Sequence, residues 1–177
     1  MKAYRPRLRV WPPSLACGSI QEMDIVYEDA KSRQVVVRNM HLAVWFDAPN
    51  VDQMHEWGRQ ALAVKQRNPK GTGLMNLIVS GTPAFSAEVR AAVKDYTERA
   101  VHDVGAAHIV LVRGLLASAV RGFLGTAMLL GRPKNPTKVF GELGPAATWM
   151  ATNAQSLGAV RWDADALQAA CQRAITR

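Results

Sequence analysis

Leu74-Met75-Asn76-Leu77-Ile78-Val79 is almost continuously apolar. A run of this length and composition reads as a strand with both faces covered, which requires a layer of helices on each side of its sheet. Working outward, Asn50 and Gln53 have the spacing of a capping box and open a helix to about Gln66, with Val51, Met54, Ala61 and Leu62 on its inner face. Arg67-Asn68-Pro69-Lys70-Gly71-Thr72-Gly73 is a loop. On the other side, Ser80-Gly81-Thr82-Pro83-Ala84-Phe85 leads to Ser86, an N-cap residue with Glu88 in the first turn beyond it. Val89, Ala92, Val93, Tyr96, Ala100 and Val104 then share one helical face. His108 to Val112 is a second buried run. Two buried strands joined through a helix are parallel, with a right-handed crossover.

Towards the N-terminus, Met23 to Glu28 alternates as a strand and Asp29-Ala30-Lys31-Ser32 is a turn. Arg33 to Phe46 is either one long bulged strand or a tight pair. Its short connection to the preceding strand makes those two antiparallel. Towards the C-terminus, Arg113 and Gly114 end a strand, and Leu116, Val120, Phe123, Leu124 and Ala127 form a helix face. Arg132-Pro133-Lys134-Asn135-Pro136 is a second basic loop, and Thr137 to Phe140 a short strand. Pro145 suits the first turn of a helix that buries Trp149 and Met150. Leu167, Ala170, Cys171, Ala174 and Ile175 recur at helical spacing. The expected fold is α/β: a mixed sheet with antiparallel first strands, then β-α-β crossovers, plus a C-terminal helix. Residues 1–22 are expected to be a basic arm, 23–157 the domain and 158–177 a helical extension.

The chain has 177 residues, 49% of them hydrophobic and 20% charged, which is the composition of one globular domain. Its net charge of +8 invites a polyanion. Nucleic acid ranks below protein as a partner, because no groove-reading motif and no aromatic interleaving accompany the charge. Cys17 and Cys171 stand far apart with no C-x-x-C or Cys/His cluster, so neither a structural metal nor a cofactor is expected. Cys171 lies on an apolar helix face and is expected to be a buried thiol. Lys2, Arg5, Arg7 and Arg9 precede Leu15-Ala16-Cys17, but Pro12 and Pro13 interrupt any export signal. The longest apolar stretch, Leu115 to Gly131, is split by Arg121. The expectation is a cytoplasmic protein with no transmembrane segment.

In element order this chain resembles the STAS domain, the fold of anti-sigma-factor antagonists, and the STAS-like modules related in fold to CRAL-TRIO lipid-binding domains. The resemblance covers about Met23 to Leu157. It is carried by Leu74 to Val79 with Ser80 and Ser86 behind it, and by Thr137-Lys138-Val139-Phe140 leading to a helix that contains Trp149. It implies a binding or regulatory module rather than an enzyme. The antagonists carry an Asp-Ser-Ser-Gly-type phosphorylation site after the third strand. Here that loop has no aspartate, and Ser86 is the positional candidate.

The loops at the carboxyl ends of the strands gather Asp47 and Asn50, then Ser80, Thr82 and Ser86, then Arg113 and Ser118, then Glu142. Ser80, Thr82, Ser86, Arg113 and Ser118 are the candidates for a phosphorylation or anion site, with helix N-termini near Ser86 and Ser118. The competing reading makes Ser86 a plain cap and Arg113 a surface partner of Glu142 or Asp47. Lys65, Arg67, Lys70, Arg132, Lys134 and Lys138 form a basic rim at the opposite pole, a polyanion contact or simply a solvated edge. Trp45, Trp57 and Trp149 read as core, Trp11 and Trp162 as interface residues. His102 reads as helix-end decoration, and His108 as a strand residue satisfied in the core or at the edge. Ser80, His41 and Asp47 make a triad only on paper, since no nucleophile-elbow G-x-S-x-G surrounds the serine. The leading expectation is a regulatory or scaffolding module acting by protein–protein contact, including self-association. A lipid- or small-anion-binding module and a small hydrolase follow it.

Overall fold

Arg38, at φ 54, and Asn39 turn the chain back on itself in two residues, so Arg33 to Phe46 is a pair of strands and not one. The computed structural model describes residues 23–81, 86–99, 102–131 and 133–176. Its strands are β1 (Asp24–Glu28), β2 (Ser32–Val37), β3 (Met40–Trp45), β4 (Gly73–Ile78), β5 (Gly105–Val110) and β6 (Thr137–Phe140). Its helices are α1 (Val51–Arg67), α2 (Ala87–Arg99), α3 (Leu115–Gly131), α4 (Leu143–Ser156) and α5 (Ala164–Ile175). The six strands lie side by side in chain order. β1, β2 and β3 run antiparallel to their neighbours within that group, and β3 through β6 are parallel.

The sheet always steps in the same direction, so its right-handed crossovers place α1, α2 and α3 on one face. There Ala43, Trp45 and Leu74 meet Met54 and Trp57 of α1 and Val89 and Ala92 of α2, while Val110 meets Ala117 and Val120 of α3. The opposite face presents Val35, Val37, Leu42, Val44, Met75, Leu77, Ala107 and Ile109 to α4 and α5. The two-residue period of the pleat separates the sets: Met75 and Leu77 point one way, Leu74 and Asn76 the other.

Local chemistry starts and stops these elements as the sequence suggests. Asn50 accepts the amide of Gln53 at 2.9 Å while the Gln53 side chain accepts the Asn50 amide at 2.9 Å, a complete capping box on α1. Asp29 shapes the β1–β2 turn by accepting the amides of Lys31 and Ser32, each at 2.7 Å. Burial pulls the Asp29 carboxyl up, but hydrogen bonds from Tyr27, Gln53 and those amides outweigh it and leave the pKa lowered. Gly105 opens β5 at φ 138 beside Pro136, where a Cβ would lie 2.8 Å from the carbonyl oxygen.

The C-terminal segment is not an appendage. Leu167, Ala170, Cys171 and Ala174 of α5 are fully buried in the main core, and α5 packs on α4, β2 and β3. Trp162 is also no interface residue: only 6% of it is exposed, and its indole N–H donates to Asn39 Oδ1 at 2.7 Å. The run 158–163 has to bring α5 back across the sheet, and Trp162 is the anchor that ties that crossing to the β2–β3 turn.

Candidate functional site

The loops leaving β5 and β6 diverge to opposite faces, one into α3 and the other into α4. A crevice opens between diverging loops of this kind at the carboxyl ends of the strands. In this chain it is a cleft of about 480 Å³ lined by residues 110–113 at the end of β5, Arg121 of α3, Gly141 to Gly144 at the start of α4, and Gln168 of α5.

Three kinds of hydrogen-bond donor line it. Arg113 and Arg121 bring two guanidinium groups, and neither has an ion pair within 4 Å among the described residues. Glu142 is the N-cap of α4 but makes no side-chain capping bond, and the first turn of α4 holds no acidic residue. The amides of Leu143 and Gly144 therefore lie at the bare positive end of the helix dipole. Gln168 adds a side-chain amide. The glycines make room for this convergence: a Cβ on Gly141 would lie 3.2 Å from the Arg121 guanidinium, and one on Gly144 3.1 Å from Gln168 Oε1. Glu142 is the one acid in the lining, so the cleft carries net positive charge.

Of the anion candidates among the described residues, Arg113 alone lines this cleft. Ser86 caps α2: its hydroxyl accepts the Val89 amide at 3.3 Å and donates to Glu88, which holds that carboxyl below its usual range. Ser80 donates to the Phe46 carbonyl, and Ser118 is an exposed residue of the first turns of α3. Thr82 lies outside the described residues. Asp47 pairs with Lys31 at 3.0 Å, and that contact lowers its pKa. Arg121, Gln168 and the α4 N-terminus were missed by sequence reasoning. The available signal was that Arg121 is the single charge in the 17 residues of α3.

The basic rim is less continuous than its composition. Lys65 is taken up by an ion pair with Asp103, which reaches in from the start of β5, and Lys138 lies over the Phe140 ring, 5.4 Å from its centre. Lys70 and Lys134 are exposed, and Arg67 ends α1. Arg132 and Trp11 fall outside the described residues.

The paper triad does not assemble. His41 is completely buried and spends Nε2 on Gln34 Oε1 at 3.0 Å, while Ser80 and Asp47 are committed elsewhere. His102 is not a surface decoration: it is 6% exposed and packs against the rings of His41 and Trp57. His108 is bonded to Asn76 at 3.0 Å, as a satisfied strand histidine should be. Cys171 is buried beside Met75, and burial pushes its thiol up to about 12. Among the described residues no group of three or more His, Cys, Asp or Glu is placed to hold a metal, and no helix is long and apolar enough to cross a membrane. No family model matches the chain, and no curated protein matches it.

Proposed function

We propose that this chain is a non-enzymatic, STAS-like regulatory module that binds an oxyanion in the cleft between the β5–α3 and β6–α4 loops. The observation that supports the reading is the convergence of Arg113, Arg121 and the uncapped α4 N-terminus on one crevice. Guanidinium groups donate to carboxylates and phosphates in pairs, and helix amides add fixed donors that need no reorganisation. The recognised group is a phosphate or carboxylate, free or on the side chain of a protein partner, a second copy included. The two guanidinium groups in the lining suit such a group better than a lipid tail.

Titration with inorganic phosphate tests the chemistry. The expected result is saturable movement of the Leu143 and Gly144 amide resonances, with affinity at least about tenfold weaker in Arg113→Ala and Arg121→Ala. Light scattering separates the sources: a discrete oligomer lost on either substitution points to the anion being on a second copy. Phosphate shifts scattered over the basic rim, or unchanged in both variants, overturn the reading.

A further inference from the structure

The face of the sheet beneath α1 and α2 contains a polar layer that the anion cleft does not use. His41 on β3, His102 just before β5 and His108 on β5 all lie on it, with Gln34, Asn76, Trp45 and Trp57. The ring centres of His41 and His102 are 6.3 Å apart, and Trp57 of α1 stands 6.5 Å from the first and 6.3 Å from the second.

Each geometry suits a neutral imidazole. The Trp45 indole can only donate, so Asn76 turns its oxygen to Trp45 and its NH₂ to His108 Nδ1. That nitrogen must then hold a lone pair, and a proton on it breaks the relay from β3 through β4 to β5. His41 donates through Nε2 to Gln34, and its Nδ1 has no partner among the described residues. Nε2 of His102 has none either. A second proton on His41 would face no acceptor. The charges nearest the layer are Lys65 of α1 and Asp103, which pair with each other, and Asp103 also attracts a proton to His102. α2 contributes Val89, Ala92, Val93 and Tyr96, none of them charged. On the other face the buried core shared with α4 and α5 holds no histidine.

We propose that these three histidines make the α1–α2 layer an acid-sensitive half of the molecule, released from the sheet at mildly acidic pH while the α4–α5 layer stays packed. Burial lowers the pKa of His41 to about 3, and of His102 and His108 to about 4. Once the layer opens, the rings regain the ordinary value near 6.5. The opened form therefore binds more protons, and the packed form is favoured above about 6.5 and loses ground as pH falls towards 4. His102 and His108, lowered alike, contribute alike. Coupling to the cleft is built in, because β5 carries His108 at its centre and leads directly to Arg113.

Amide NMR of the whole chain from pH 7.5 to 4.5 is the test. The expected result is loss of dispersion in residues 51–67 and 87–99 while residues 143–156 and 164–175 keep theirs. His102→Asn and His108→Asn should each reduce the proton uptake of opening, read from its pH slope, by up to about one. These two keep the test open if His41→Asn does not fold. Simultaneous loss of all elements, an unchanged α1–α2 layer at pH 4.5, or wild-type slopes in both variants overturns the proposal.

Discussion

Asn39 is a small residue with a large share of the contacts at one end of the sheet. Its side-chain NH₂ donates to the Gly71 carbonyl at 2.9 Å and its oxygen accepts the Trp162 indole at 2.7 Å, all within fully buried surroundings. It thereby ties the β2–β3 turn to the loop before β4 and to the segment that returns the chain to α5. Asn39→Ala leaves a buried donor and a buried acceptor unpaired, each costing on the order of 1–3 kcal/mol. Urea denaturation should show a loss of about 2–6 kcal/mol. Trp162→Phe keeps most of the apolar contact and orphans a single acceptor, so it should cost visibly less. Equal losses from both would mean that the hydrogen bonds are incidental to packing. Arg38, stacked 5.0 Å from the Trp162 ring centre, covers this junction from outside.

Helix α1 meets α2 at Gly58, whose Cα lies so close to the Tyr96 ring that an added Cβ would fall inside it. Glycine in a helix interior costs about 1 kcal/mol against alanine, so its presence here needs a packing reason, and the ring supplies one. Gly58→Ala should destabilise the fold by about 1–3 kcal/mol despite better propensity, because the ring or the whole of α2 must move. Tyr96→Ala in the same background should restore part of the loss, and a double-mutant cycle measures the coupling. Additive effects would contradict direct contact. At this scale the sequence is legible in proportion to how local the cause is. The Asn50–Gln53 box, the Ser86 cap and the apolar run from Leu74 are written within a few residues of where they act. Trp162 lies between Arg161 and Asp163, and His102 sits beside Asp103 at a helix end, so both were misread, and only contact with a distant segment buries them. The cleft was half legible: Arg113 follows from strand order, while Arg121 and Gln168 arrive from α3 and α5, one on each face of the sheet.

The two faces of the sheet are built differently, and the difference sets how the molecule can come apart. Beneath α1 and α2 the contact includes three imidazoles with amides and indoles, whereas beneath α4 and α5 it is aliphatic and thioether side chains, one thiol and the Trp162 indole, with no imidazole. Among the described residues the second layer is covered by α4 and α5, and α5 is the last of the described elements. Deleting 158–177 would remove Leu167, Ala170, Cys171, Ala174 and Trp162 from a continuous core and bare Leu42 and Val44 of β3. Burying one leucine-sized side chain contributes about 1.5–3 kcal/mol, so losing Leu167 and Trp162 together with three smaller buried residues removes an amount comparable with the whole stability of a typical domain. A chain ending at Leu157 should therefore lose its cooperative urea transition and its near-ultraviolet dichroism. Because α5 crosses the sheet as far as β2, the loss should spread to β2 and β3. A truncated chain that melts cooperatively would restore the view of residues 158–177 as a separate extension. It would also require α4 alone to close a face whose contacts with β2 and β3 α5 now supplies.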